Sequence, residues 1–270
     1  MKQVVFFIFI VLFSPNVFSG ENKIKNNIGM EFVYINPGTF MMGSPENEDG
    51  RDFDELLHKV ILTKGFYIQK TEATQGQWEK IMGKHNNPSN FKKGANYPVE
   101  QVSWNDVQNF ISKLNQIEHT NKYRLPTEAE WEYCCRSGGT DSFSNNPIAE
   151  LGCGYEISLD KVGWYCGNSK FSPHPVGKKD PNKWGIYDMH GNVWEWCQDS
   201  CDYDKDNNTL VITDTYRDGI VDPIDTFGRA RIKRGGAWNN YALNARSAGR
   251  RGFIPSNSDF NLGFRLVKDL

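Results

Sequence analysis

The chain contains 270 residues with a formal net charge of −2, and 38% of its residues are hydrophobic. This near balance of charge gives no electrostatic reason to expect a nucleic-acid or membrane-surface partner. The length is sufficient for one large core, and the 25 glycines, 12 prolines and 8 tryptophans are typical of a loop-rich fold pinned by aromatic packing. In such folds the function usually lies on the loops.

The first 19 residues predict a signal peptide. Lys2 supplies a basic start, and an uninterrupted apolar run follows from Val4 to Phe13. This run is too short for a stable membrane span, so we expect an exported protein, periplasmic or extracellular, cleaved before Gly20 and without a membrane span afterwards. An uncleaved N-terminal anchor is the alternative. Residues 20–28 follow as a loose polar leader, and we expect the folded domain to occupy residues 29–270.

Six cysteines in an exported chain favour disulfides over a metal site. They are Cys134, Cys135, Cys153, Cys166, Cys197 and Cys201. The chain has no CxxC pair and no histidine pair at the spacing of zinc ligands. Six cysteines allow 15 pairings, and the spacing does not choose among them.

The first third of the domain predicts strands and the middle predicts helices. Residues 32–35 and 39–42 flank a turn and predict a hairpin, and residues 58–62 and 66–70 predict another. Helices are expected over residues 72–82, after Ser103, whose capping partner is Asp106, and after Thr127, whose capping partner is Glu130. Residues 231–234 and 263–267 return to strands, which indicates a single α+β domain.

Residues 199–228 predict a long, exposed acidic loop. Within it, Asp202-x-Asp204-x-Asp206 begins like a calcium loop. Asn207 and Thr213 stand where an EF-hand needs glycine and glutamate, so a plain acidic surface is the favoured interpretation. Elsewhere the chain lacks HExxH, G-x-S-x-G, Walker and dinucleotide motifs, which disfavours a conventional hydrolase, kinase or dehydrogenase.

The densest run of polar and aromatic residues is Tyr187-Asp188-Met189-His190-Gly191-Asn192-Val193-Trp194-Glu195-Trp196. Its carboxylates would be unfavourable if buried unpaired among such apolar neighbours. A bound hard cation such as Ca²⁺ would satisfy them, because it takes carboxylate and backbone oxygens as ligands. Pairing of Asp188 and Glu195 with nearby arginines would satisfy them equally well.

This run resembles the hallmark of the formylglycine-generating enzyme (sulfatase-modifying factor) family. Further matching runs occur in the same order and span about residues 29–268: 40–44 (FMMGS), 98–106 (PVEQVSWND), 124–133 (RLPTEAEWEY), 234–236 (RGG) and 261–265 (NLGFR). The resemblance implies one compact, irregular α+β domain of C-type-lectin-like type with little regular secondary structure. It also implies a structural calcium held by Asp188, the carbonyl groups of Gly191 and Val193, and Glu195.

The family's reaction oxidises a client sulfatase cysteine to formylglycine with copper and O₂. It needs two enzyme cysteines after the Arg-Gly-Gly motif, because thiolates hold Cu(I). No cysteine follows Cys201 here, and Ala237 replaces the serine common after the motif. Copper and sulfatase oxidation are therefore not expected. Relatives bridge the counterpart of Cys135 to this same loop, and that partner is missing; for the others, Cys166 with Cys197 and Cys153 with Cys201 are the expected pairs.

Two hypotheses follow for the function. The first is an exported oxidative maturation enzyme with different chemistry, as in the siderophore-maturation branch of the family, which works without the cysteine pair. The second is a non-catalytic binding module for a peptide, glycan or protein client. For the first hypothesis, the expected pocket lies along residues 234–251 and contains Trp238, Asn239, Asn240, Arg246 and Arg250; the second displays loops of the scaffold to its ligand.

Overall fold

The computed structural model of the chain describes residues 22–202, 210–213 and 215–270. The predicted signal peptide lies outside these residues. So do Asp204, Asp206 and Asn207 of the calcium-loop-like segment.

Short elements joined by long connections build the fold. Within the described residues the α-helices are α1 (Gln75–Met82), α2 (Trp104–Ile117), α3 (Glu128–Arg136) and α4 (Ile157–Val162). The strands are β1 (Lys23–Lys25), β2 (Glu31–Ile35), β3 (Gly38–Met42), β4 (His58–Leu62), β5 (Phe66–Gln69), β6 (Tyr123–Arg124), β7 (Gly163–Trp164), β8 (His190–Gly191), β9 (Trp194–Cys201), β10 (Ile220–Val221), β11 (Ala230–Arg234), β12 (Arg250–Phe253), β13 (Leu262–Gly263) and β14 (Val267–Asp269). Single 3₁₀ turns occupy Lys84–Asn86 and Ala242–Ala245. No helix in this part of the chain is both long and apolar enough to cross a membrane.

The strands form separate small sheets. Their orders are β1-β2-β5-β14-β6, β10-β4-β3, β12-β11-β9-β13 and β7-β8. Both predicted hairpins are therefore wrong, because β2 pairs with β5 and β3 pairs with β4. The short connections after β2 and β4 each lead the next strand into a different sheet. Gly38 opens β3 where Tyr133 of α3 approaches; a Cβ there would lie 2.1 Å from the Tyr133 hydroxyl.

The polar leader is not loose throughout. Lys23–Lys25 pair antiparallel with β2, and Ile28 is buried in the core. The expectation failed because Ile24 and Ile28 supply apolar side chains within a segment that is polar on average.

The helices with capping signals are confirmed. Ser103 and Asp106 form a reciprocal capping box at the start of α2, and Thr127 and Glu130 form one at the start of α3. The first helix begins later than predicted, because Thr74 is its cap. Glu72 therefore lies outside the helix. The mixed α/β class, with few helices and one domain, is confirmed, whereas the lectin-like description stays a prediction.

The pairing of the cysteines differs from both expected bridges. Cys153 is bonded to Cys166, 13 residues away, while Cys134, Cys135, Cys197 and Cys201 are free and buried. The expectation failed because Cys197 and Cys201 lie in the interior strand β9 within the apolar core. Cys153 and Cys166 instead close a local loop around α4.

Candidate functional site

The turn at residues 187–194 is hydrogen-bonded to two other parts of the chain, at Trp164 and at residues 235–238. Gly191 donates its N–H to the Gly235 carbonyl at 2.7 Å, and Asn192 donates to the Trp164 carbonyl at 2.8 Å. Asn192 has a φ of 61°, in the left-handed region that asparagine tolerates. Its own carbonyl accepts the N–H of Trp238 at 2.9 Å. The turn therefore positions the start of the loop that follows Arg-Gly-Gly.

Glu195 is the centre of a buried ion pair. Its carboxylate accepts two bonds of 2.6 Å from the Arg265 guanidinium and one of 2.7 Å from the Trp131 indole. Burial alone would lower the pKa of Arg265, but the attraction and hydrogen bonds of Glu195, together with the charges of Glu72 and Asp188, raise that pKa. Arg265 also donates to the Tyr187 carbonyl at 2.9 Å, so its guanidinium links Glu195 to the start of the turn.

The proposed calcium ligands fit a cation only in part. Asp188 accepts the N–H of Gly177 at 2.7 Å through Oδ2, while its buried Oδ1 has no hydrogen-bond partner among the described residues. Such an orphaned carboxylate oxygen suits a hard cation. Glu195 does not fit, because Arg265 and Trp131 use both of its oxygens. Within the described ranges, no three acidic, histidine or cysteine side chains are grouped as a metal site.

Glu72 lies outside this turn but contacts it, and sequence reasoning missed it. It is fully buried and accepts the Asn192 side-chain amide at 2.7 Å and the Val193 N–H at 3.0 Å. Burial, and then the nearby charges of Asp188 and Glu195, raise the pKa of Glu72 well above its ordinary value. The sequence signal that bears on Glu72 is its position two residues before the helix cap Thr74, which places it outside the helix.

Trp238 is buried at the centre of a group of side chains that we call the Trp238 face. This face consists of Phe91, Trp238, Asn239, Asn240, Phe260 and Asn261. The Phe91 and Phe260 rings lie 5.2 and 5.8 Å from the Trp238 ring, and the Asn261 amide donates to the Asn239 side chain at 2.8 Å. Three of the predicted pocket residues therefore lie together.

The other two predicted pocket residues, Arg246 and Arg250, lie elsewhere. Arg246 pairs with Glu55 at 2.6 and 2.8 Å, and Arg250 pairs with Glu128 at 2.7 and 2.8 Å. Both arginines are almost completely buried, so neither is available to a ligand. The sequence shows their charge but not the distant carboxylates that pair with them.

The Trp238 face contains several buried polar atoms that lack partners. Within the described residues, no hydrogen bond satisfies the Trp238 indole N–H or the side-chain oxygens of Asn240 and Asn261. Because buried polar groups normally find partners, such a cluster marks a place where a ligand could supply them.

The free thiols are unsuited to copper or to nucleophilic chemistry. Cys135 is fully buried, and burial raises the pKa of its thiol to about 12. Burial likewise raises the thiol pKa of Cys201 to about 12 and those of Cys134 and Cys197 well above the ordinary value. Since the thiolate is the form that binds metal and attacks electrophiles, these residues act as core side chains.

Cys135 nevertheless has polar neighbours. Its sulfur lies 3.6 Å from Nε2 of His190 and 3.7 Å from the hydroxyl of Ser247. His190 accepts the Ser144 N–H at Nε2, so its Nδ1 donates to the Ala245 carbonyl at 2.8 Å. Burial lowers the pKa of His190 to about 4, and the ring is therefore neutral at physiological pH.

Comparison with known families decides the wider relationship. The profile of the sulfatase-modifying factor enzyme 1-like domain matches residues 19–270. This chain belongs to the sulfatase-modifying factor family. The resemblance of the Arg-Leu-Pro and Gly-Asn-Val-Trp-Glu-Trp runs is thereby confirmed over essentially the whole domain.

Individual relatives within the sulfatase-modifying factor family carry different names. A protein of Paenibacillus barcinonensis named chaperone protein LppX is 33% identical over 66% of this chain and 73% of its own. Formylglycine-generating enzymes of Streptomyces coelicolor and mouse are 29% and 27% identical, over 79% and 87% of this chain. The alignments cover 68% and 62% of those two enzymes, so the present chain is shorter than either.

Solved structures agree with the family assignment. Treponema denticola variable protein 1 is 26% identical with a TM-score of 0.74, covering 93% of this chain and 100% of that one. PvdO from Pseudomonas aeruginosa is 28% identical with a TM-score of 0.75, covering 92% and 98%. The sulfatase-modifying factor fold is therefore shared along almost the full length of all three chains.

Proposed function

We propose that this chain is an exported, client-binding member of the sulfatase-modifying factor family. It engages a polypeptide segment through the Trp238 face and does not oxidise a sulfatase cysteine. One observation carries the proposal. The loop after Arg-Gly-Gly, where the family's reaction needs a thiolate pair, contains no cysteine and instead contributes the buried Trp238 and the half-buried Asn239 and Asn240.

The chemistry of the Trp238 face supports binding. Tryptophan and its packed aromatic neighbours are the side chains that most often anchor protein interfaces. The unpartnered indole N–H and amide oxygens are the donor and acceptors that a peptide group would satisfy. The name of the LppX relative, a chaperone protein, is consistent with a polypeptide client.

An enzyme with different chemistry is the second candidate. The similarity to formylglycine-generating enzymes favours it. It would need a reactive group on the Trp238 face, and the four free thiols of the described residues lie in the core instead, where burial raises their pKa values. Incubation with a cysteine-containing sulfatase peptide, copper and O₂, followed by mass spectrometry, tests the exclusion of the family's ordinary reaction: formylglycine product would overturn the proposal that the chain does not oxidise a sulfatase cysteine.

Calcium is retained as a proposal with a narrower ligand set. Asp188 and the carbonyl groups of Gly191 and Val193 would hold the ion, and its chemistry would be structural. Glu195 is left as the counterion of Arg265, since both of its oxygens are already used.

The client-binding proposal is tested with a pool of fluorescein-labelled random peptides and matched variants. Phe171, whose backbone is tied to Trp238 through Ser169, and Phe53, in the loop between β3 and β4, are both 79% exposed. We expect Phe171→Ala to weaken peptide binding, measured by fluorescence anisotropy, and Phe53→Ala to leave it unchanged. Absence of any peptide binding, or an equal loss in both variants, would overturn the proposal.

A further inference from the structure

A segment of four residues projects beside the Trp238 face. It comprises Ser169, Lys170, Phe171 and Ser172, and we call it the 169–172 segment. The Ser169 hydroxyl donates to the Trp238 carbonyl at 2.7 Å and accepts the N–H of Phe171 at 3.2 Å. The segment is therefore fixed to the loop that carries the face.

The backbone of this segment is strained in a way that exposes two side chains. Lys170 and Phe171 have φ values of 55° and 58°, a left-handed conformation that side-chain-bearing residues rarely adopt. Phe171 is 79% exposed and Lys170 is also exposed. Two consecutive strained residues that present an aromatic ring and a cation to solvent suggest a contact surface, because strain of this kind concentrates at functional positions.

Lysines without acidic partners surround the segment. Lys93 donates to the Ser172 hydroxyl at 2.7 Å, and its ammonium lies 5.6 Å from the centre of the Phe91 ring. Lys93 and Lys170 form no ion pair within the described residues, whereas Lys179 pairs with Asp160. Lys93, Lys179 and Lys170 all act electrostatically on His174, which places them in one neighbourhood.

The acidic groups nearby do not neutralise this cluster. Asp259, beside Phe260, acts on Lys233 and on buried Glu100, and Asp160 is taken by Lys179. The chain as a whole has a net charge of −2, so this positive charge is confined to the neighbourhood of the segment. Such a cationic and aromatic surface complements an anionic partner.

We infer that the Trp238 face and the 169–172 segment bind an extended acidic peptide segment, with an apolar side chain against Phe171 and carboxylates at Lys93 and Lys170. This inference rests on the proposed client binding and names the class of client. A sulfated glycan would also bind the lysines, but its charged sugar rings do not supply the apolar side chain that the exposed Phe171 ring favours. The unpartnered oxygens of Asn240 and Asn261 need donors, which a peptide backbone supplies.

The buried state of these oxygens requires a small rearrangement on binding. Trp238 is only 5% exposed, and the Phe91 and Phe260 rings pack against it. Rotation of one such ring would open the indole N–H and the amides, and rotamer changes of this kind are common when partners bind.

The experiment uses three fluorescein-labelled peptides of equal length with identical leucine positions and with aspartate, serine or lysine between them. We expect the aspartate peptide to bind tightest, and Lys170→Glu to weaken it about three- to tenfold at low salt, with the difference lost at high salt. Lys84→Glu, in the Lys84–Asn86 turn, is the matched control and should have no effect. Lys170→Glu should also improve binding of the lysine peptide, a gain that misfolding could not produce.

Each remaining outcome has a distinct meaning. Equal binding of the three peptides, still sensitive to Phe171→Ala, would overturn the acidic class while leaving client binding intact. Binding of no peptide would overturn both. Tighter binding of heparin fragments than of the aspartate peptide, with the same sensitivity to Lys170→Glu, would overturn the inference in favour of a sulfated glycan.

Discussion

Replacing Glu195 by glutamine tests whether an ion pair, rather than a metal ion, holds the central turn. The carboxylate is fully buried and receives three hydrogen bonds, two of them from Arg265. Glu195→Gln preserves the shape but leaves the guanidinium without its charge partner. Breaking a buried pair in this way costs about 3–5 kcal/mol. That loss is a large fraction of a typical unfolding free energy of about 5–15 kcal/mol.

The assay is urea denaturation in buffers that contain either calcium or a chelator. We expect the same loss of unfolding free energy in both buffers. The control is Glu31→Gln, because Glu31 forms a half-exposed pair with Lys70 worth at most about 1 kcal/mol. The double variant Glu195→Gln/Arg265→Met should lose less than the sum of the single losses, since the two side chains act together. A loss confined to calcium buffer would show that Glu195 is a metal ligand and would refute the ion-pair interpretation.

Three further predictions concern the same region. Asp188→Asn should reduce any calcium-dependent rise in melting temperature, whereas Glu195→Gln should retain it; calorimetry with and without calcium decides, and an unchanged response in Asp188→Asn would remove Asp188 as a ligand. The buried carboxyls of Glu100, Asp188 and Asp199, whose pKa values are raised to about 7, 6 and 7, favour the folded state as the pH falls. His190 opposes them with a limb of falling stability from about pH 6.5 towards 4, because the unfolded side chain takes up a proton that the buried ring, with its pKa of about 4, does not bind. His190→Gln should flatten this limb in urea titrations and His85→Gln should not, so an unaltered limb in His190→Gln would contradict the assignment. Ser247→Cys should form a disulfide with Cys135, whose sulfur lies 3.7 Å from the Ser247 hydroxyl, and raise the unfolding free energy by about 2–4 kcal/mol; a thiol count that shows both cysteines free would contradict it.

The parts of the fold that local sequence predicts are the capped helices. Ser103 with Asp106 and Thr127 with Glu130 satisfy the first N–H groups of α2 and α3 with residues three positions away. Such a signal is complete within one turn of chain, so it needs no knowledge of distant partners.

Strand pairing could not be predicted because it depends on distant residues. β2 lies between β1 and β5, and β14 at the end of the chain joins β5 on its other side. The short connections after β2 and β4 do not specify which sheet receives the next strand. The pairing of the cysteines could not be predicted for the same reason, because the sequence shows their positions in the chain but not their burial in the core.

Trp238, Asn239 and Asn240 are consecutive in the chain, so their proximity follows from the sequence alone, and the pocket to which they were assigned stays a prediction. The structure adds that their loop is tied to the central turn through Asn192. Arg246 and Arg250 were misplaced because their partners Glu55 and Glu128 are more than a hundred residues away in the chain. The 169–172 segment was missed, since nothing in its composition predicts two consecutive left-handed residues.

Hydrogen exchange of the backbone amides tests most directly whether the Trp238 face binds a client. The protein is measured alone and at saturation with whichever of the aspartate, serine and lysine peptides binds most tightly. Client binding at this face predicts slower exchange in residues 166–174 and 237–241, because a bound segment would restrict local opening there. Protection confined to residues 45–57, around Phe53, or no protection at any amide, would contradict it.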